Sequence, residues 1–190
     1  MFYKLITITM LSFAAIGSAN AAISQTKGDF EDKFRQLDES LPTPNVYRNA
    51  AGEPGHPVLN DEEARMLTGE TNLISAGRRL LTYGPSRAII KKGEHGAVSL
   101  TEDSYFSAPA YPTEDVVDPT GAGDTFAGAL MGYLAAHDSA SEEVIRRGIV
   151  LGSVVASFTV EGFGLDRLRE IDQAAIEQRY RELRSYCTVE

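Results

Sequence analysis

This chain has little cysteine, and its basic residues are fewer than its acidic ones. Cys187 is the single cysteine among 190 residues, so no intramolecular disulfide can form. No grouping of cysteine and histidine has the spacing of a zinc site, which excludes a structural zinc fold. The 18 lysine and arginine residues are outnumbered by 27 acidic residues, and the net charge is −9. Without an overall positive field, the chain is not expected to bind nucleic acid.

Long apolar runs are absent as well, and the sequence predicts no membrane span. The runs from Leu5 to about Ile16 and from Ile149 to Val160 are shorter than the roughly 20 residues that a span needs. Lys4 precedes the first run, and the small residues of Ala-Asn-Ala follow it at residues 19–21. This layout is typical of a secretory signal peptide, so we expect residues 1–21 to be a signal-like segment. A core helix of a cytosolic protein is the alternative.

Residues 22–57 are polar and rich in proline, and we expect them to form an appendage rather than a domain. Their apolar spacing predicts one amphipathic helix from Asp29 to Ser40, which Pro42 ends. The stretch at residues 32–48 resembles the start of mature bacterial zinc aminopeptidases. The chain has no His-Glu-x-x-His sequence, so no peptidase chemistry is expected.

The third region, residues 58–190, has a dense alternation of helix and strand patterns. Asn60 is suited to capping a helix that carries Glu62 and Glu63 in its first turn, and Gly69 is suited to ending it. Further helices are predicted at residues 73–83, 122–136, 142–160 and 171–186, and strands at residues 87–91, 97–101 and 105–108.

The segment from Asp118 to Gly128 reads Asp-Pro-Thr-Gly-Ala-Gly-Asp-Thr-Phe-Ala-Gly, where an extended piece at residues 115–117 enters a helix. Its glycines let the backbone turn sharply, and the first-turn N–H groups of a helix can hold an anion. Asp124 lies in the same turn, where its carboxylate can accept a proton from an alcohol. This combination suits phosphoryl transfer, with amides stabilising the moving phosphoryl group and the carboxylate activating the attacking hydroxyl.

Three other interpretations of this glycine-rich segment can be compared with its sequence: a P-loop, a dinucleotide-binding fingerprint and a plain capped helix. A P-loop needs Lys and then Ser or Thr after its last glycine, whereas Asp124 and Thr125 follow Gly123. A dinucleotide fingerprint needs a third glycine where Phe126 stands. A helix capped by Asp118 or Thr120, with glycines serving only a tight turn, remains an open alternative on the pattern alone.

Three motifs in order resemble those of one enzyme family. Residues 118–128 closely resemble the second signature of the ribokinase-like carbohydrate kinases, the PfkB family. The Asn-x-x-Glu sequence at residues 60–63 resembles a second motif of that family, and residues 92–96 resemble its Gly-x-x-Gly nucleotide turn. The resemblance extends over most of residues 58–164. It implies an α/β chain with part of a ribokinase-like three-layer fold, namely the C-terminal half of the sheet with its flanking helices.

The resemblance implies a role for each phosphate-contacting position. Asp124 is the expected catalytic base. Lys91 stands where many members have threonine, and its ammonium is expected to contact a phosphate; a surface lysine after a strand is the alternative. The expected anion hole consists of Gly121, Ala122 and Gly123.

The same resemblance implies where ATP and its ions are held. Asn60, Gly93 and Gly96 are expected to contact ATP together with Lys91. Glu63 is expected to act on Mg²⁺ indirectly. Asp118 is expected beside a monovalent cation such as K⁺, together with the loop at residues 157–164.

Members of the family have an N-terminal half that supplies most of the central sheet, the sugar-binding residues and the lid. Here a signal-like segment and a short polar stretch stand in its place, so we expect the N-terminal half to be missing from a chimera or truncation. Two hypotheses remain open: a PfkB-type kinase that uses ATP and Mg²⁺ on a sugar or nucleoside, and a remnant that binds nucleotide at most. The signal-like start indicates export, kinase chemistry indicates the cytoplasm, and an uncovered sheet edge predicts self-association.

Overall fold

The computed structural model describes residues 56–187. The signal-like segment, the amphipathic helix and the aminopeptidase-like stretch predicted from the sequence lie outside the described residues. The described strands are β1 (Val58–Asn60), β2 (Ala88–Lys91), β3 (Ala97–Leu100) and β4 (Tyr105–Ala108). The described helices are α1 (Asp61–Thr68), α2 (Leu73–Leu81), α3 (Ala122–His137), α4 (Glu142–Thr159), α5 (Asp166–Glu170) and α6 (Gln173–Tyr186), and a 3-10 turn spans Gly93–His95.

Side-chain caps define where several helices begin. The capping residues are Asn60 for α1, Asn72 for α2, Ser141 for α4 and Asp172 for α6. Each side-chain oxygen accepts a hydrogen bond from a first-turn N–H that has no partner within the helix. Helix α1 ends at Gly69, whose φ of +70° is left-handed. The start and end predicted for α1 are therefore confirmed.

The four described strands form one sheet in the order β1-β2-β3-β4. Residues 92–96 join β2 to β3 and residues 101–104 join β3 to β4, and such short connections require antiparallel neighbours. Helices α1 and α2 lie between β1 and β2 in the chain, which provides the long connection that a parallel pair needs. The middle strands carry much of the core, since Ile89, Ile90 and Leu100 are at most 1% exposed.

The chain divides into two compact units, and β2, β3 and β4 each contribute residues to both. The first unit contains described residues 56–90 and 99–105. In it α1 packs against α2, and a methyl group built on Gly77 of α2 would lie only 2.8 Å from Cδ1 of Leu100. The guanidinium of Arg78 donates hydrogen bonds to the carbonyl oxygens of Thr101 and Glu102 at 2.5 and 2.6 Å.

The second unit contains described residues 91–98 and 106–187. Its two longest helices, α3 and α4, approach closely because small residues face large ones. Methyl groups built on Gly148 and Gly152 would lie 2.7 Å from Leu130 Cδ1 and 2.9 Å from Phe126 Cδ2. These two glycines of α4 therefore allow the close approach of the helices. Helix α6 packs against α4, and one buried cluster formed there consists of Leu151, Val154, Phe158, Ile176 and Leu183.

Three local features differ from the sequence prediction. Helix α2 ends at Leu81, and residues 82–84 continue as a turn with hydrogen bonds between residues three apart. Strand β1 was not predicted, since its three residues are too few to show an alternating pattern. Helix α5 was not predicted, since five residues with no buried side chain leave no apolar pattern.

Among residues 56–187, none of the helices combines the length and the apolar character that crossing a membrane requires.

Candidate active site

The turn before α3 leaves the helix N-terminus without a side-chain cap. Gly121 occupies the cap position with a left-handed φ of +83°, and it has no side chain to accept a first-turn N–H. The Asp118 carboxylate accepts from the N–H of Thr120 at 2.9 Å, outside the helix. The alternative in which Asp118 or Thr120 caps α3 is therefore not what the structure shows. The positive end of α3 is left available to an anion.

Lys91 brings a positive charge to the same turn. A methyl group built on Gly123 would lie 2.7 Å from Nζ of Lys91, so the ammonium group rests directly over this glycine. A cation next to a helix N-terminus faces a partial charge of its own sign. That arrangement is favourable once an anion lies between the two. Lys91 is only half-exposed. This contact is compatible with both predictions for Lys91, a phosphate contact and a surface lysine after a strand.

Asp124 is exposed in the first turn of α3. The residue that follows it, Thr125, is 3% exposed, and its Oγ1 accepts a hydrogen bond from Thr159 Oγ1 of α4 at 2.9 Å. This buried hydrogen bond fixes the first turn of α3 against α4. The carboxylate is thus presented to solvent from an anchored turn, where a substrate hydroxyl can reach it.

Asp118 is held beside the end of α4. Its N–H donates to the carbonyl of Val160 at 3.2 Å, and this same carbonyl also accepts from the N–H of Val117. The hydrogen bonds from Thr120 hold the pKa of the Asp118 carboxyl below its usual range. The structure therefore brings Asp118 next to the loop at residues 157–164, as the cation-site hypothesis requires. Residues 56–187 contain no group of three or more His, Cys, Asp or Glu side chains arranged to hold a metal.

The two glycines of the turn after β2 have different physical roles. Both have positive φ, +55° for Gly93 and +84° for Gly96. A methyl group on Gly93 would meet nothing within 4 Å, so this glycine leaves open space. A methyl group on Gly96 would overlap the carbonyl oxygen of Ala108 and the backbone of Pro109. Close approach of two backbones thus explains Gly96 without any ligand, whereas the open surface at Gly93 suits a nucleotide.

Asn60 and Glu63 belong to the first unit, where they form a capping box at the start of α1. Asn60 Oδ1 accepts from the N–H of Glu63 at 2.7 Å, and Glu63 Oε2 accepts from the N–H of Asn60 at 2.8 Å. Helix capping therefore occupies the side-chain oxygen of Asn60 and one of the two carboxylate oxygens of Glu63. Glu63 is exposed. All other predicted site residues lie in the second unit.

Arg179 of α6 was missed from the sequence, although it supports the predicted turn. Its guanidinium donates to Ser157 Oγ at 2.8 Å and to Glu161 Oε2 at 2.9 Å, and it stacks 3.6 Å from the centre of the Phe158 ring. These contacts hold the end of α4, whose Val160 carbonyl holds the backbone before α3. One arginine in a polar helix gives no sequence signal for such a contact.

Comparison with known proteins places these features in a family. The family model described as pfkB family carbohydrate kinase matches residues 16–167, well over half of the chain. A cytidine kinase of Thermococcus kodakarensis is 39% identical over 94 residues, which cover 47% of this chain and 32% of that protein. A ribokinase of Mus musculus is 38% identical over 109 residues, covering 53% of this chain and 33% of that one.

A solved structure of similar fold is the aminoimidazole riboside kinase of Salmonella enterica in complex with aminoimidazole riboside and an ATP analog. It is 26% identical with a TM-score of 0.58, and the match covers 65% of this chain and 41% of that one. The chain thus spans about a third of the length of the curated relatives it matches. The ribokinase-like α/β fold expected from the sequence is confirmed. The boundary at residue 58 stays a prediction. On the family match and the shared fold, the chain belongs to the PfkB family of carbohydrate kinases.

Proposed function

We propose that this chain carries the phosphate-binding and proton-accepting machinery of a kinase that transfers a phosphoryl group from ATP to a hydroxyl of a sugar or nucleoside. The observation that carries the proposal is the contact of Lys91 with Gly123 at the uncapped start of α3, one residue before Asp124. Relatives named as ribokinase and cytidine kinase support the substrate class.

Each residue of the turn has a distinct part in this chemistry. The N–H groups of Gly121 and Gly123 and the Lys91 ammonium stabilise negative charge on the phosphoryl group. The N–H of Ala122 donates to the carbonyl of Pro119 at 3.2 Å. The Asp124 carboxylate orients the attacking hydroxyl and accepts its proton as the new O–P bond forms, while the bond from the γ-phosphorus to the β,γ-bridging oxygen breaks and ADP leaves. ATP, when bound, supplies the phosphoryl group. Gly93 offers an open backbone surface for the rest of the nucleotide.

Metal ions fit this site only as companions of the nucleotide. Mg²⁺ keeps several of its waters and is commonly bound by one or two carboxylates together with substrate phosphates. For Glu63, the family resemblance alone supports an indirect role on Mg²⁺; its carboxylate is exposed, and Oε2 accepts a hydrogen bond from the N–H of Asn60. Asp118, with its carboxyl held ionised and its backbone tied to Val160, would contribute to a K⁺ site.

A second candidate function is nucleotide binding without turnover. The chain spans 41% of the aminoimidazole riboside kinase that it resembles, and phosphoryl transfer requires both reactants to be positioned. An assay of binding alongside turnover distinguishes the two candidates.

The test combines calorimetry with Mg-ATP and an ADP-release assay over a panel of sugars and nucleosides. Asp124→Asn should lower turnover by about 100-fold or more, since a general base contributes that much, while Mg-ATP affinity stays within about twofold. Asp115→Asn is the matched control, because Asp115 is also an exposed aspartate but lies before the turn. Full activity of Asp124→Asn would disprove the assigned base. Saturable Mg-ATP binding with no ADP release on any substrate would select the second candidate.

A further inference from the structure

A groove of about 340 Å³ lies on the second unit between α3, α4 and α6, and no residue of the candidate active site lines it. Its floor is apolar, formed by Leu151 and Ile176, which are 5% and 4% exposed. Its walls include the rings of Tyr133 and Tyr180. The groove therefore offers aromatic and aliphatic surface of the kind that small-molecule sites use.

The aromatic walls are held in place by their neighbours. The centroids of the Tyr133 and His137 rings are 4.1 Å apart. A methyl group built on Gly148 would be 3.4 Å from Tyr133 Cδ1. Tyr180 is half-buried, and this burial raises the pKa of its hydroxyl, as does the nearby Tyr133. Arg184 and Arg147 act on the same hydroxyl in the opposite direction. Both tyrosines and both arginines line the same groove.

The rim of the groove is positively charged, in contrast to the net charge of −9 of the whole chain. It carries Arg147, Arg181 and Arg184 against one carboxylate, Glu177. Glu177 precedes Arg181 by one helical turn, a spacing that favours an ion pair. Instead, Glu177 Oε1 accepts from Gln173 Nε2 at 2.5 Å.

Two of the three rim arginines already have partners, and Arg184 is one of them. Arg147 shares its charge with Glu143 at 2.5 Å. For Arg181, no ion pair within 4 Å is formed with any carboxylate among residues 56–187. Arg181 is exposed at the mouth of the groove. Hydrogen bonds from Gln178 and Tyr111 hold the pKa of Glu182 below its usual range, and the charges of Arg179 and Arg181 add to this, so the Arg181 charge acts on that carboxylate as well as on the groove.

We infer that this groove binds a small organic phosphate that carries one planar ring system, in the manner of a nucleoside monophosphate. The ring would lie on the floor between the tyrosines, and the guanidinium of Arg181 would hold the phosphate. The volume lies at the low end of the range for ligand sites, which suits one ring and one phosphate rather than a dinucleotide. This site is independent of the proposed kinase function.

The test measures binding of adenosine 5′-monophosphate to the full chain by calorimetry and saturation-transfer NMR. Arg181→Gln and, separately, Tyr180→Leu should each weaken binding about tenfold, the effect of losing one charged or one aromatic contact. Arg169→Gln is the matched control: Arg169 is an exposed arginine on α5 that does not line the groove, and it should bind as the unaltered chain does. Adenosine and ribose 5-phosphate, which each provide half of the contacts, should each bind at least about tenfold more weakly.

Gly123→Val distinguishes this groove from the candidate active site. It should leave binding of the monophosphate within about twofold, because Gly123 does not line the groove. Loss of binding in Gly123→Val with none in Arg181→Gln would place the probe at the turn before α3 and overturn the inference. So would the absence of saturable binding up to about 5 mM probe, which corresponds to affinity too weak for a built site. Thermal melts verify the fold of each variant, and Arg181→Gln changes only an exposed side chain.

Discussion

Replacing Gly123 by alanine separates the folding of α3 from its capacity to hold phosphate. The added methyl group would lie 2.7 Å from Nζ and 3.8 Å from Cε of Lys91, both atoms at the flexible end of a side chain. Lys91 can therefore swing aside without any shift of the backbone. Alanine is also a better helix former than glycine by about 1 kcal/mol in a helix interior, and by less in a first turn. We expect the free energy of unfolding to be unchanged or slightly higher.

Nucleotide binding should respond in the opposite direction. A hydrogen bond to a charged group contributes about 1.5–3 kcal/mol, and the lower end applies because Lys91 is only half-buried. Displacement of the ammonium should therefore weaken Mg-ATP binding by roughly tenfold. Calorimetry measures the affinity, and urea unfolding measures the stability of the same samples.

A double-mutant cycle shows whether Lys91 carries the effect. Lys91→Met should weaken Mg-ATP binding by a similar factor, and adding Gly123→Ala to it should change little more, because both substitutions remove one contact. If Gly123→Ala alone binds Mg-ATP as tightly as the unaltered chain, the contact between Lys91 and Gly123 has no part in holding phosphate. If the losses in Mg-ATP binding free energy were fully additive, the two residues would act separately and not through one contact.

Three further outcomes are expected. Gly96→Ala should lower the free energy of unfolding, measured by urea melts, by about 2 kcal/mol or more. The added methyl group would overlap the backbone at Ala108 and Pro109, and the φ of Gly96 is +84°. Gly93→Ala is the comparison, because its methyl group would meet open space. The hydrogen bond to Glu182 raises the pKa of Tyr111 to about 12 from 10.0. The stability that this hydrogen bond contributes is therefore complete below pH 10 and is lost as the pH rises through 12. Tyr111→Phe should remove this loss of stability at high pH, and an unchanged dependence of the unfolding free energy on pH would contradict the prediction. Since β1 and β4 each pair on one side only among the described strands, we expect self-association in light scattering, and a monodisperse monomer would count against an open edge.

Local signals explain why much of the fold could be predicted from the sequence. Asn60 and Gly69 bound α1 through contacts within a few residues, so the pattern alone locates both ends of the helix. Strand β2, which contains Ile89 and Ile90, is recognisable because a short apolar run is buried on both faces of the sheet. The end of α2 was placed two residues too late because Thr82 and Tyr83 are compatible with either a helix or the turn that follows it.

Tertiary contacts explain what could not be predicted in the candidate site. The motif around Asp124 predicts an anion-binding turn, yet only the fold brings Lys91 from β2 onto Gly123. Residue spacing likewise does not show that Arg179 supports residues 157–161, since they are about 20 positions apart and joined only by packing. The role of Gly96 also changes, because the approach of β4 is visible only in the structure.

Titration of the isotope-labelled chain with Mg-ATP, followed through the backbone amides by NMR, tests the anion-binding turn most directly. We expect saturable shifts that are largest at Gly121, Ala122, Gly123 and Asp124, with the amides of α5 as an unaffected reference. Lys91→Met should reduce the affinity derived from those same shifts. Saturable binding that leaves the amides of residues 121–124 unmoved, or no binding at all, would contradict the central claim that the start of α3 holds the phosphate.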